Sequence, residues 1–145
     1  MSSFSVQLAD FAKKVGDDAD QVVGGVVVEL VRVIDERSPV GDAKFWKSKP
    51  PKGYVGGHFR ANWQLAIDTI PKGVVASVSF AGTPAENIGR IPAEAAGRTF
   101  YLANNVPYAQ RLEDGWSRQA PTGLVGRTVV EFGDIVKRKV AELTQ

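Results

Sequence analysis

The chain has 145 residues, of which 43% are apolar and 23% charged. That is the size and composition of one globular domain with a single core, and it excludes wholesale disorder. Eighteen basic residues against sixteen acidic ones leave a formal charge of +2, too small for bulk charge to argue for nucleic acid. The absence of cysteine excludes disulfide scaffolds, thiolate nucleophiles and Cys-ligated metals, and a lone histidine, His58, undersupplies a multi-His zinc site or a Ser–His–Asp triad.

The start has neither a basic segment nor an apolar one, so it does not read as a secretory signal. The apolar stretch at 22–34 is broken by Gly24, Gly25, Glu29 and Arg32, too short and polar to cross a bilayer of about 30 Å. A cytoplasm-like compartment without membrane attachment is expected.

A single domain over 1–145 is predicted. Residues 1–36 form an N-terminal helix: Leu8, Phe11, Val15, Ala19, Val22, Val26, Leu30 and Val33 recur at spacings of three and four. Val23, Val27, Val28, Val31 and Ile34 add a second apolar flank that needs cover on another side. The β-branched run at 26–34 also suits a strand, but the helical spacing passes through it unbroken. A helix over 5–36 measures about 48 Å, longer than a compact domain of this size, so it overhangs onto a neighbouring copy or breaks at Gly24–Gly25 into two.

Pro39 ends the helix, and 37–57 is an extended loop with four glycines and three prolines. Loops this long in compact domains are usually functional or ordered by a partner. Lys44, Phe45, Trp46, Lys47, Lys49, Lys52 and Tyr54 make it basic and aromatic. Residues 58–104 form a sheet region. Phe59, Ala61, Trp63, Leu65 and Ile67 alternate with polar residues as a half-buried strand, and 74–81 is its hairpin partner across a turn at 71–73. A short helix near 92–96, a third strand at 99–104 and a helical turn at 107–114 stopped by Gly115 follow. The last element, 122–143, repeats Val125, Val129, Phe132, Val136 and Val140 at helical spacing, with Thr122 as its N-cap. The order gives an α+β domain: a small antiparallel sheet packed against a long N-terminal helix and a C-terminal helix.

Catalytic constellations are weak. Glu113 and Asp114 are adjacent and cannot converge on one substrate, so they read as a solvated helix end. His58 has no nearby acid, and no glycine-containing stretch matches a phosphate or dinucleotide loop. No metal site, cofactor or enzymatic activity is expected. Binding features are stronger. Phe45, Trp46 and Tyr54 suit docking on a protein, Trp63 reads as core, and Trp116 as a lid or an interface residue. The lysines of 44–52 with Trp46 give a rival reading as a nucleic-acid module, for which DNA affinity would fall steeply with salt.

Two blocks carry a resemblance. Ser38-Pro39-Val40, then Gly53-Tyr54-Val55-Gly56-Gly57-His58-Phe59-Arg60-Ala61-Asn62-Trp63, is similar to a signature of tailed-bacteriophage neck and tail-completion proteins. Asn104-Asn105-Val106-Pro107-Tyr108-Ala109, Leu112-Glu113-Asp114-Gly115-Trp116-Ser117 and Gln119-Ala120-Pro121 resemble the same family's second block, which Thr128-Val129-Val130-Glu131-Phe132 continues. The likeness runs in order from Ser38 onward; His58 replaces the usual Arg, and Trp116 a small or polar residue. It implies a structural virion protein of a long-tailed phage, present in host cytoplasm before assembly. Such a subunit forms a ring, generally sixfold, at the head–tail junction, between the tail tube or its terminator and the head-side connector, with genome DNA passing through without sequence-specific contact. The completion, terminator and connector rings of the neck are alternatives at this point. Lys44, Phe45, Trp46, Lys47, Tyr54, Val23, Val27, Val31 and Trp116 are the expected contacts with neighbours. Ser38, Pro39, Gly56, Gly57, Phe59, Arg60, Asn62, Trp63, Asn104, Asn105, Pro107, Tyr108, Glu113, Gly115, Gln119 and Pro121 are expected to set geometry.

Overall fold

The computed structural model describes residues 19–40, 49, 52, 56–117 and 120–143. Their elements are helix α1 (Ala19–Arg37), a 3₁₀ turn (Arg60–Asn62), β1 (Gln64–Ile67), α2 (Thr83–Gly89), β2 (Phe100–Ala103), α3 (Ala109–Glu113), α4 (Val125–Val130) and α5 (Phe132–Leu143). The fold is α+β, with β1 and β2 pairing antiparallel so that Leu65 faces Leu102 and Ile67 faces Phe100.

α1 is the spine, and its two apolar flanks are covered from within the chain. Val22 and Val26 pack with Phe132 and Val136 of α5. Val23 meets Ala95 and Ile91. Val27 and Val31 meet Leu65, and Ile34 joins Phe59, Trp63, Val106 and Leu124. The β-branched run is therefore helix and not strand, and α1 passes through Gly24–Gly25 unbroken. Residues 5–18 of the expected helix lie outside the described residues.

The sheet departs from expectation in its pairing. The chain at 59–62 is a turn and not a strand, because Ala61 N–H bonds to Gly57 C=O and Asn62 N–H to Phe59 C=O. These local bonds close the backbone on itself, so the strand begins only at Gln64. Residues 74–81 form no strand and no hairpin ladder. They still run antiparallel to 57–64, but through side chains: Asn62 brackets Val75, accepting its N–H at 2.7 Å and donating to its C=O at 2.9 Å, while Gln64 donates to Gly73 C=O. β1 pairs instead with the third expected strand. Asp68, at φ 61°, ends β1, and its carboxylate takes the Thr99 N–H and the Arg98 guanidinium. The Thr99 N–H and Arg98 hold its pKa below the ordinary carboxylate value.

Helix positions shift as well. The connector helix is α2, with a proline in its first turn, and not 92–96, where Ala96 N–H bonds to Asp20. α3 stops as expected at Gly115, whose φ of 85° suits glycine and where a Cβ would strike the Pro121 carbonyl. The last helix is two helices meeting at Glu131, and Thr122 does not cap them. Arg37 holds both Thr128 and Glu131 at that break, and the apolar stripe splits: Phe132 and Val136 pack on α1, while Val125 and Val129 stay exposed.

One polar residue missed by periodicity anchors the sheet to α2. Asn87 is 2% exposed; its Oδ1 accepts the Leu65 N–H at 3.0 Å and its Nδ2 donates to Trp63 C=O at 2.8 Å. Replacing Asn87 with Ala leaves two buried backbone groups without partners. At about 1–3 kcal/mol for each, the expected loss is about 2–6 kcal/mol, read as a lowered midpoint in urea unfolding.

Candidate functional site: an open sheet edge flanked by apolar strips

The motif residues interlock. The Ser38 hydroxyl, 4% exposed with its residue, donates to Ile34 C=O at 2.6 Å and accepts the Trp63 indole N–H at 2.7 Å. The end of α1 is thereby tied to the start of the strand, with Pro39 buried beside it. Arg60 grips Asp35 with two N–H groups at 3.0 and 3.3 Å, a fork that fixes the turn against α1. Gly57 has a φ of 106°, and a Cβ there would strike the Val78 carbonyl, so glycine lets the 73–80 segment lie close.

The second block clasps the first. Asn104 donates to Phe59 C=O at 2.8 Å, and Asn105 to Pro71 and Gly73 C=O. Phe59 stacks edge-on to Trp63 at 5.7 Å, with the Tyr108 ring 6.4 Å away. Glu113 is not a solvated helix end. Its carboxylate accepts the N–H groups of Leu124, Val125 and Gly126 at 2.8–3.0 Å, capping α4 from eleven residues upstream. Burial pushes its pKa up, but the three N–H bonds outweigh that and hold it below its ordinary value.

The sheet has two outer edges, and they differ. The Asp68 N–H bond to Thr99 C=O continues the ladder past its end, so 66 with 101 and 64 with 103 are the hydrogen-bonded pairs. Leu65 and Ile67 on β1, and Phe100 and Leu102 on β2, then direct their backbone groups outward. The Leu65 N–H and C=O are met by Asn87 and Arg90. Those of Phe100 and Leu102 have no partner among the described residues. Along that open edge runs an apolar groove of about 280 Å³ between β2 and α4, floored by Val27, Val31 and Ile34 of α1. A second hollow shares Trp63, Leu102 and Val125 with it.

Apart from Trp116, the large exposed apolar residues among the described ones fall in two strips. Val125 and Val129 lie on α4 at the groove, with Val130, 86% exposed, beside them on the same helix. Ile70, Val74, Val75 and Val78 lie on the 70–78 segment. Sequence periodicity missed both: it placed α4's valines in a core stripe and 74–81 in a ladder.

The expected neighbour contacts divide. Val23, Val27 and Val31, 2–3% exposed, are core residues packed under α2, β1 and the 91–95 turn and not an outer flank of α1; Val27 and Val31 reach the surface only as the floor of the groove. Trp116 is 64% exposed and stacks with the Arg111 guanidinium, so it is not a lid on the core. Pro107 and Pro121 are exposed, and Gly56 lies in the turn before Gly57. Lys44, Phe45, Trp46, Lys47, Tyr54 and Gln119 lie outside the described residues. His58 touches Ser77 C=O at 3.2 Å, no three metal-ligating side chains converge among the described residues, and no described helix is long and apolar enough to cross a membrane.

No family model, no curated protein and no solved structure matches the chain.

Because the folded pKa of Glu113 is depressed, its cap contributes fully above the ordinary value of 4.5 and is lost as pH falls through the folded value. Glu113→Ala is expected to cost about 1–2 kcal/mol at neutral pH. Its urea midpoint should also fall less steeply on acidification than that of the parent chain, which paired unfolding curves across the acid range measure.

Proposed function

We propose that the chain is a non-enzymatic structural subunit of a long-tailed phage, packing beside copies of itself in a ring of six at the head–tail junction. The ring joins the tail tube to the head-side connector, and the genome passes through it. The observation that carries this reading is the use made of the two family-like blocks. Ser38, Arg60, Asn62, Asn104, Tyr108 and Glu113 turn their polar groups or rings to the backbone and side chains of their own chain, Asn104 and Glu113 doing so at the wall of the second hollow. Exposed apolar residues remain on the outside of this frame, the valines of 74–78 and of 125–130. Residues that hold a rigid frame while apolar strips face outward suit a building block better than a catalyst.

Completion, terminator and connector rings share this physics, and the completion ring is the one proposed from the resemblance. Virion images at the head–tail junction, with mass spectrometry of the particle, test the reading. Density for six copies of this chain between tail tube and connector is expected, and particles lacking the chain should accumulate as separate heads and tails. Virions whose junction contains no copy contradict it.

A further inference from the structure

We infer that the 73–80 segment of one copy adds as a strand to the open edge of β2 in another, seating its valines in the groove between β2 and α4. Both halves of this contact are present on one chain. On the accepting side, the N–H and C=O groups of Phe100 and Leu102 point away from β1 with no partner among the described residues. The groove beside them is lined by Val27, Val31, Val125 and Val129 and by no charged side chain.

On the donating side, contacts to 57–64 recur at Gly73, Val75 and Ser77, every second residue, as in an extended chain. The intervening backbone groups of Val74 and Ala76 have no partner among the described residues. The segment lacks what usually blunts an edge: it holds no charge and no proline from Gly73 to Thr83. Uncharged strand and uncharged groove match in charge as well as in backbone period. Asn62 and Gln64 hold the segment against its own chain's 57–64, so the β2 it reaches belongs to a second copy. A small apolar molecule could fill the groove but would leave the Phe100 and Leu102 groups unpaired, whereas an added strand satisfies them.

The two surfaces are different, so the contact is head-to-tail: every copy donates and accepts, and the series closes into a ring when its rotation permits. The inference deepens the proposed function by naming the contact between copies. It also separates from that reading, since a chain that assembles this way but is missing from the junction keeps the contact and loses the neck role.

Two substitutions on the full chain test it. Ala76→Pro removes an N–H that has no partner among the described residues, so its thermal unfolding should match the parent's while strand donation is lost. Val129→Glu, at an exposed position, puts a charge in the groove and should abolish acceptance. By sedimentation across a concentration series, the parent chain should form species heavier than one copy, and each variant alone should stay monomeric. An equal mixture should give heterodimers and nothing larger, because one good donor meets one good acceptor. A parent chain that remains monomeric throughout overturns the inference. So does a Val129→Glu chain that assembles like the parent, as it would if 73–80 segments paired with each other. A mixture that stays monomeric also overturns it.

Discussion

A two-stranded sheet is too small to stand alone and has two outer edges, each a row of backbone groups that must find partners. In this chain Asn87 of α2 and Arg90 just after it meet the Leu65 groups on one edge, and nothing among the described residues meets the Phe100 and Leu102 groups on the other. The rest of the architecture follows from that asymmetry. α1 lies under the sheet and meets α5, the 91–95 turn, β1 and the Phe59–Trp63 cluster in succession, so the apolar area of the spine is spent inside the molecule. The surplus sits on α4 and on the 70–78 segment, where exposed valines replace the core stripe that periodicity suggests.

The family-like residues gain a physical meaning here. Ser38 bridges Ile34 and Trp63, Arg60 locks Asp35, Asn62 brackets Val75, and Glu113 reaches across a turn to satisfy three N–H groups at the start of α4. Ser38, Asn62 and Glu113 are polar side chains doing for the backbone what a longer sheet or helix would otherwise do, while Arg60 ties the turn to α1 through a side chain. Removing one strands a partner instead of merely deleting a contact, which is costly in proportion to burial. A frame built this way fixes where 73–80 and α4 stand relative to the strand, as assembly from identical parts needs.

The helical spine, the α+β class, the strand at 99–104 and the stop at Gly115 were all legible, because three-four spacing, period-two alternation and a left-handed glycine are local signals. What was not legible depended on hydrogen bonds that apolar periodicity does not encode, some local and some distant in sequence. Phe59, Ala61 and Trp63 alternate like a strand but fold as a turn, since Gly57 and Asn62 supply closer hydrogen-bond partners. The C-terminal stripe breaks at Glu131, whose carboxylate meets Arg37, ninety-four residues away. Asn87 carries no periodic signature at all, yet the covered edge rests on it. Of the site, the clasping residues were named from the motif blocks, whereas the open edge becomes visible only once the ladder's register is known.

Backbone amide exchange followed residue by residue against protein concentration tests the open edge most directly. If copies meet there, the amides of Phe100, Leu102, Val74 and Ala76 slow together as concentration rises, while that of Leu65, already bonded to Asn87, does not change. Exchange at Phe100 and Leu102 that is fast and the same at every concentration contradicts it.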